Sequence, residues 1–354
     1  MEGTGLVLAG GGGKGIYQVG IMKSLAEAGL LDDVVAVSGT SIGGVNAVLF
    51  AEGLAEGGIE RAIVQMEEAW EDMDFSVLFN VDAASISAGD NHFSRNKTEI
   101  LIDKYLNYSL FENEKTISTF VTAAKCPDTV TTTEHVTEEE MRLILTTSPE
   151  ITYKEYVAEY FRLNDLSAEN IKGAILATTA LPVIYNPVNI DGKLYIDGGP
   201  KDNIPIKPLY DLGIRKFIVI ELNKESGLIK TLDTSETSEA SETHILGYED
   251  AEVIDITSSV DLGKLLSGTL NFDKQDKAFK KYLGELDGKR YIKTLFEKDE
   301  TYIAVQDNLA RLDYEQAKNK VQFDSKYESL SGNVNRNFDY INKLEESLKK
   351  FDNP

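Results

Sequence analysis

Residues 5–20 read GLVLAGGGGKGIYQVG, and residues 32–53 read DDVVAVSGTSIGGVNAVLFAEG. Each stretch is an apolar run, then a glycine-rich turn, then a segment of helical period. In the first, GLVLA has the short apolar run of a buried strand and stops at glycines. Ile16, Val19, Met22 and Leu25 then recur at helical spacing, and Gly29 stands where a helix C′ residue belongs. In the second, a strand over 34–38 leads through a tight turn into a helix running from Ile42 to about Glu52. Two consecutive strand–turn–helix units predict a parallel sheet covered by helices. The expected fold is a three-layer α/β/α sandwich with a largely parallel central sheet.

Further along, IERAIVQMEEAWEDM (59–73) reads as a helix within a polar, helical stretch over 59–116. TISTFVTAAK (116–125) and TVTTTEHV (129–136) read as a strand pair. TEEEMRLILTTSPE (137–150) opens with the capping box Thr137–Glu140. SAENIKGAILATTALP (167–182) reads as a helix that begins at a Ser167 cap and stops before Pro182. KLYIDGG (193–199), KFIVIEL (216–222) and EVIDITSS (252–259) read as strands. Residues 224–247 hold TLDTSETSEASETH, a polar run that cannot bury much and reads as a surface loop. Past 293, Tyr302, Val305, Leu309 and Leu312, then Val334, Phe338, Ile341, Leu344 and Leu348, mark two amphipathic helices. The expected division is therefore a main domain over 4–293 and a helical extension over 294–354.

The composition excludes some functions. With 59 acidic and 36 basic residues in 354, the net charge is −23, which opposes binding through phosphate neutralisation and excludes nucleic acid as a partner. A single cysteine, Cys126, forbids an intrachain disulfide and fits a reducing compartment. It reads as a buried bystander rather than a nucleophile. No basic n-region precedes the first apolar run, and no stretch approaches the roughly 18 apolar residues of a membrane span. The expected location is the cytoplasm, of a bacterium.

Four segments carry the chemistry: GGGGKG (10–15), GTSIGG (39–44), ATTALPVIYNPV (177–188) and DGGPKDNIP (197–205). Gly39-Thr40-Ser41-Ile42-Gly43 matches G-x-S-x-G between a strand and a helix, the setting of a nucleophile elbow. The alternative is a glycine-lined helix start at which Ser41 merely caps. Gly10, Gly12 and Gly15 also satisfy G-x-G-x-x-G. A dinucleotide site would require an acidic residue closing the second strand, where Ser38-Gly39-Thr40-Ser41 stands instead; Asp32 and Asp33 precede that strand. A Walker lysine would be followed by Ser or Thr, but Lys14 precedes Gly15. Both phosphate readings are thereby weakened, and bare amides facing the same crevice as a serine offer another use, holding an oxyanion.

A serine nucleophile requires a base. His92 and His135 read as bystanders. His244 follows Asp197 in the order Ser–Asp–His of a hydrolase triad, but sits in the polar run. Asp197 closes a strand before Gly198-Gly199, so its carboxylate projects at the sheet edge and could accept the proton directly. An ordinary Asp-Gly turn remains the alternative.

Taken in order, GGGGKG, GTSIGG and DGG resemble the motifs of the patatin-like phospholipases, serine lipid acyl hydrolases that use a Ser–Asp dyad. ATTALP, DNIPIKPL (202–209) and LLSGTLNFDKQDKAFKKYLGELDG (265–288) are similar to family segments too. The resemblance covers about 4–293. It implies that Ser41 is the nucleophile and Asp197 its base, with Gly39 and Gly43 forming the elbow and Gly198 and Gly199 the aspartate motif. It also implies an oxyanion hole within Gly10, Gly11, Gly12, Gly13, Lys14 and Gly15, with no cofactor and no metal. The implied partner is a lipid or phospholipid substrate, with transient contact at a membrane surface allowed and the oligomeric state open. Two rivals stand beside this reading: a Ser41–Asp197–His244 triad esterase, and a catalytically silent lipid- or partner-binding member.

Overall fold

The computed structural model describes residues 2–74, 77, 95–112, 115–130, 153–182, 184–224, 247–297 and 306–328. His92, His135, His244, residues 131–136 of the strand expected over TVTTTEHV, the TEEEMRLILTTSPE helix, nearly all of the polar run, Tyr302 and Val305, and the helix expected over 334–348 lie outside these residues.

Both opening units form as their patterns require. β1 (Thr4–Leu8) leads through a 3-10 turn at Gly12–Gly15 into α1 (Ile16–Glu27), and β2 (Val34–Thr40) leads through Ser41 into α2 (Ile42–Asp72). Gly29 adopts a φ of 72° after α1, where the amides of Gly29 and Leu30 bond the carbonyls of Ala26 and Leu25. That pairing closes the helix as a Schellman cap. α2 reaches twenty residues beyond Glu52 because IERAIVQMEEAWEDM continues it past a break at Gly57–Gly58.

The remaining elements are α3 (Asn96–Tyr105), α4 (Ser109–Glu112), β3 (Ser118–Lys125), β4 (Val157–Arg162), α5 (Ala168–Thr178), β5 (Val188–Ile190), β6 (Lys193–Asp197), α6 (Lys207–Asp211), β7 (Lys216–Ile220), β8 (Glu252–Ile256), α7 (Lys274–Tyr291) and α8 (Gln306–Glu328). The sheet order is β5-β6-β3-β2-β1-β7-β8, with β4 also on β3. β3, β2, β1, β7 and β8 run parallel, while β4 and β6 pair with β3 antiparallel. Among the described residues, the strand after β3 that pairs with it is thus β4.

The pairing around β3 decides the geometry of everything that follows. Residues 120–122 of β3 pair with both β2 and β4, and residues 123–125 pair with both β4 and β6. A strand has two edges, so β2 and β6 share one edge end to end, opposite β4. Thr40 faces Thr122, and Asp197 faces the next residue, Ala123. The C-terminal ends of β2 and β6 therefore converge.

Strand alternation splits the core. Leu6, Leu8, Val37, Ile218 and Ile220 face a large cluster shared with α1, α2, α5 and α7. Val7, Ala36, Phe217 and Val219 face a smaller cluster with Leu209 of α6 and Ile206. α7 is pinned by buried polar groups. Lys277 Nζ donates to the carbonyls of Trp70 and Met73, both at 2.7 Å, satisfying the end of α2. Asp287 accepts from Tyr17 Oη at 2.8 Å and from the Ser259 amide at 2.9 Å. α8 lies on α7 through buried Ala317 and an edge-on Phe279–Tyr314 pair 5.7 Å apart. Leu312, read from its spacing as part of an apolar face, is 57% exposed, because the packed face passes through Asp313, Tyr314 and Ala317. Cys126 is buried, and burial pushes its thiol up to about 11, so it stays protonated and inert. Among the described residues, no helix is long and apolar enough to cross a membrane.

Candidate active site

Ser41 sits between β2 and α2 with φ 55° and ψ −129°, a conformation that non-glycine residues rarely adopt. Such strain persists where surrounding structure enforces it. Here the elbow is held by close backbone packing. A Cβ on Gly43 would lie 2.2 Å from the Leu8 carbonyl oxygen, and one on Gly39 would lie 2.2 Å from that of Gly43. The Ser41 side chain makes no cap bond to α2. Its hydroxyl instead donates to Asp197 Oδ2 at 2.6 Å.

Asp197 reaches that position because β6 meets β2 on β3. Its amide donates to the Ala180 carbonyl at 2.9 Å, and its Oδ1 accepts from the Gly199 amide at 2.8 Å. Gly198 packs against the Thr122 carbonyl, where a Cβ would come within 2.4 Å. Asp197 is 3% exposed, and burial pushes its carboxyl up to about 6 against the opposing bonds from Ser41 and Gly199. Loss of hydration disfavours the charged form, which makes the carboxylate a stronger base.

Thr178, at the end of α5, locks the elbow from below. Its Oγ1 accepts from the Ser41 amide at 2.8 Å and donates to the Thr122 carbonyl at 2.6 Å. Thr178→Val would leave that amide and that carbonyl without partners, at roughly 1–3 kcal/mol each. We expect a fall in melting temperature and at least a tenfold loss of kcat, with Thr178→Ser restoring both; thermal melts and steady-state kinetics check this.

The glycine loop crosses above the same point. The Gly10 amide bonds the Asn203 carbonyl, the Asn203 side-chain amide bonds the Gly10 carbonyl, and the Lys14 amide bonds the Gly11 carbonyl, each at 3.3 Å. Those bonds do not engage the amides of Gly11, Gly12 and Gly13. Gly10, Gly11 and Gly12 line one cavity with Ser41 and Asp197. Gly13 sits behind them against the Asn271 carbonyl, and Gly15 gives its carbonyl to Asn46 Nδ2 at 3.0 Å. Lys14 is buried outside the cavity wall. Burial pulls its ammonium below the usual lysine range, opposed by the charge of Asp261. A polar network supports the loop from beneath: Gln18 Nε2 donates to the Ala9 and Ile220 carbonyls, Asn46 Nδ2 to Gln18 Oε1, and Trp70 Nε1 to Asn46 Oδ1.

The cavity has a volume of about 330 Å³ and is walled mainly by apolar side chains, among them Val48 and Met73 of the α2 region, Leu101 of α3, Leu176 of α5 and Phe272. Phe272 stacks on Trp70 at 6.0 Å. Ser41 and Asp197 thus share a mainly apolar space whose size suits an acyl chain. Sequence reasoning placed Ser41, Asp197 and the glycines in one crevice. It missed Thr178, Asn203 and the Gln18–Asn46–Trp70 network, because each acts through bonds to residues distant in the chain. The one hint was the threonine pair in ATTALP, two polar residues where an apolar helix ends.

A strand-end serine bonded to a strand-end carboxylate beneath a glycine loop defines an α/β protein built around a serine–aspartate pair. The family model for patatin-like phospholipases matches residues 6–210, and the chain belongs to that family. It is 28% identical over 223 residues to lysophospholipase NTE1 of Cryptococcus neoformans var. neoformans serotype D, covering 62% of this chain and 11% of that protein. Lysophospholipase nte1 of Aspergillus terreus is 54% identical over 48 residues, covering 14% of this chain and 3% of that one. Patatin-like phospholipase domain-containing protein 7 of Rattus norvegicus is 53% identical over 47 residues, with 13% and 3% covered. The chain therefore spans about a tenth or less of the length of these relatives. Among solved structures, it aligns with VipD from Legionella pneumophila at 15% identity and a TM-score of 0.42, covering 83% of this chain and 67% of that one.

Proposed function

We propose that this chain is a lipid acyl hydrolase that cleaves carboxylic esters of the phospholipase A or lysophospholipase type. The observation that carries the reading is the 2.6 Å bond from Ser41 Oγ to Asp197 Oδ2 inside a mainly apolar cavity. Asp197 takes the hydroxyl proton as Ser41 Oγ attacks the acyl carbonyl. The amides of Gly11, Gly12 and Gly13 hold the tetrahedral oxyanion, helped by the positive end of α2. Protonated Asp197 then gives its proton to the departing alcohol, leaving an acyl-serine. Water, deprotonated by Asp197, attacks that ester; the acyl–Oγ bond breaks as Asp197 returns the proton to Ser41 Oγ, releasing the fatty acid and restoring both groups.

The dyad is favoured over the triad because Asp197 occupies the place beside Ser41 Oγ that a histidine would take. His244→Ala is therefore expected to retain turnover of p-nitrophenyl acyl esters within a few-fold; a dead variant establishes the triad. The reading as a whole is tested by a fluorophosphonate probe, which should label Ser41 stoichiometrically, with ester hydrolysis lost in step. An unlabelled protein without esterase activity supports the silent lipid-binding reading instead. We place the hydrolase unit over 4–293, with 294–354 as a helical extension, since Thr269, Leu270 and Phe272 complete the cavity wall well beyond residue 210.

A further inference from the structure

We infer that Arg95 is the anion-recognition residue of the acyl cavity, selecting acyl esters that carry a phosphodiester over uncharged ones. The inference rests on the lipid hydrolase reading above. Among the described residues that line the cavity, formal charge is carried by Asp197 and Arg95 alone. Asp197 is engaged with Ser41 and the Gly199 amide. Arg95 stands immediately before α3, with its guanidinium over the Tyr185 ring at 4.9 Å and Nη2 donating to the Asn186 carbonyl at 2.6 Å. These contacts aim a planar group with five N–H donors and use one of them. Among the described residues, no carboxylate lies within ion-pair distance of it. Glu99, one turn along α3, is directed to Lys172 Nζ at 3.4 Å.

A cation held in an apolar wall loses hydration, and one carbonyl and one ring face return only part of it. Consistent with that cost, burial pulls the Arg95 guanidinium down to about 10, with Tyr185 and Glu99 pulling the other way. An anion delivered by the substrate would restore the lost interaction, and the guanidinium fork matches two oxygens of a phosphate. The net charge of −23 repels anions at long range, so preference for one must come from a local cation. Thr98, on the first turn of α3, lines the cavity too and supplies a hydroxyl on the same wall.

The fatty acid product also carries an anion, and the test separates the two sources. Wild type, Arg95→Gln and Arg95→Lys are compared on palmitoyl lysophosphatidylcholine and palmitoylglycerol, which share the acyl chain and differ in the phosphodiester. The ratio of kcat/KM for the phospholipid to that for the neutral ester should fall about ten- to a hundredfold in Arg95→Gln, the scale of a charge-assisted bond, mostly through KM. Arg95→Lys should recover part of it. An unchanged ratio, whether both substrates fall together or neither does, overturns the assignment. So does a variant that alters inhibition by palmitate alone, since the anion would then be the product. If wild type hydrolyses neither ester and Ser41 escapes the fluorophosphonate probe, the hydrolase reading fails rather than the role of Arg95.

Discussion

Asp197→Asn should abolish ester hydrolysis, by at least a thousandfold in kcat, and leave a protein at least as stable as the wild type at pH 8. The first half follows if, as proposed, Asp197 accepts the Ser41 proton; loss of a catalytic base or nucleophile costs on this scale, and Ser41→Ala should match it. The second half follows from linkage. The Asp197 carboxyl is pushed up to about 6 in the folded chain, above its ordinary value, chiefly by burial. The folded state therefore binds the proton more tightly than the unfolded state. Between the ordinary carboxyl range and about pH 6, folding stability falls as pH rises, and it stays lower above that. The shift corresponds to roughly 2–3 kcal/mol spent on keeping a carboxylate in a dry site. Asparagine removes that cost, though its single oxygen can accept from the Gly199 amide or from the Ser41 hydroxyl but not from both, a loss of about 1 kcal/mol. Melting curves at pH 8 should place the Asn variant a few degrees above wild type, with the gap closing as pH falls through 6 towards 4. Wild-type kcat/KM should show the matching profile, rising about tenfold per pH unit below 6 and level above about 7. A gap independent of pH, or a kcat/KM that holds steady down to pH 4, would remove Asp197 from the role of base.

That prediction could not have been made from spacing alone. The elbow was legible because its determinants are local: a strand, two glycines that must admit backbone, a serine and a helix, all within residues 34–53. The partnership of Ser41 with Asp197, 156 residues away, depends on β2 and β6 abutting on one edge of β3. An antiparallel β6 does this in a sheet whose core is parallel, and no periodicity announces strand direction. Resemblance of motifs supplied the pairing, and the register supplies its physical cause. Leu312 shows the opposite failure. Its position in a helical period was clear, but which face α8 turns to α7 is set by Tyr314 meeting Phe279. Thr178 and Asn203 were invisible for a related reason. A threonine or asparagine whose side chain serves backbone groups across the fold looks like any other loop or helix-end residue.

Gly12→Ala should cost at least a hundredfold in kcat while the chain remains folded, and the reason lies outside the segment the family model covers. Gly12 has a φ of 56°, and a Cβ there would lie 2.1 Å from the Thr269 carbonyl oxygen. Residues 265–272 form a turn pressed onto the glycine loop, with Asn271 similarly close behind Gly13. That turn continues into α7, which is pinned to the core by Lys277 and Asp287. It cannot retreat cheaply, so the loop must move by about an ångström. Displacement on that scale removes amides from the oxyanion and costs on the order of a hundredfold or more. The positive φ adds about 1 kcal/mol of strain on its own. Gly58→Ala separates the two effects, because Gly58 has a φ of 84° with nothing within 4 Å of an added Cβ. It should keep full turnover while lowering the melting temperature, at roughly 1–3 kcal/mol, because a ψ of −171° places Gly58 in a region nearly closed to other residues. If both variants keep full activity, the amides of Gly11, Gly12 and Gly13 are not what holds the oxyanion. If Gly12→Ala loses activity as expected, a second change that frees the turn tests the coupling. Asn271→Gly, which removes the bond from its side chain to the Ser267 carbonyl, should then recover part of the rate by letting the turn yield.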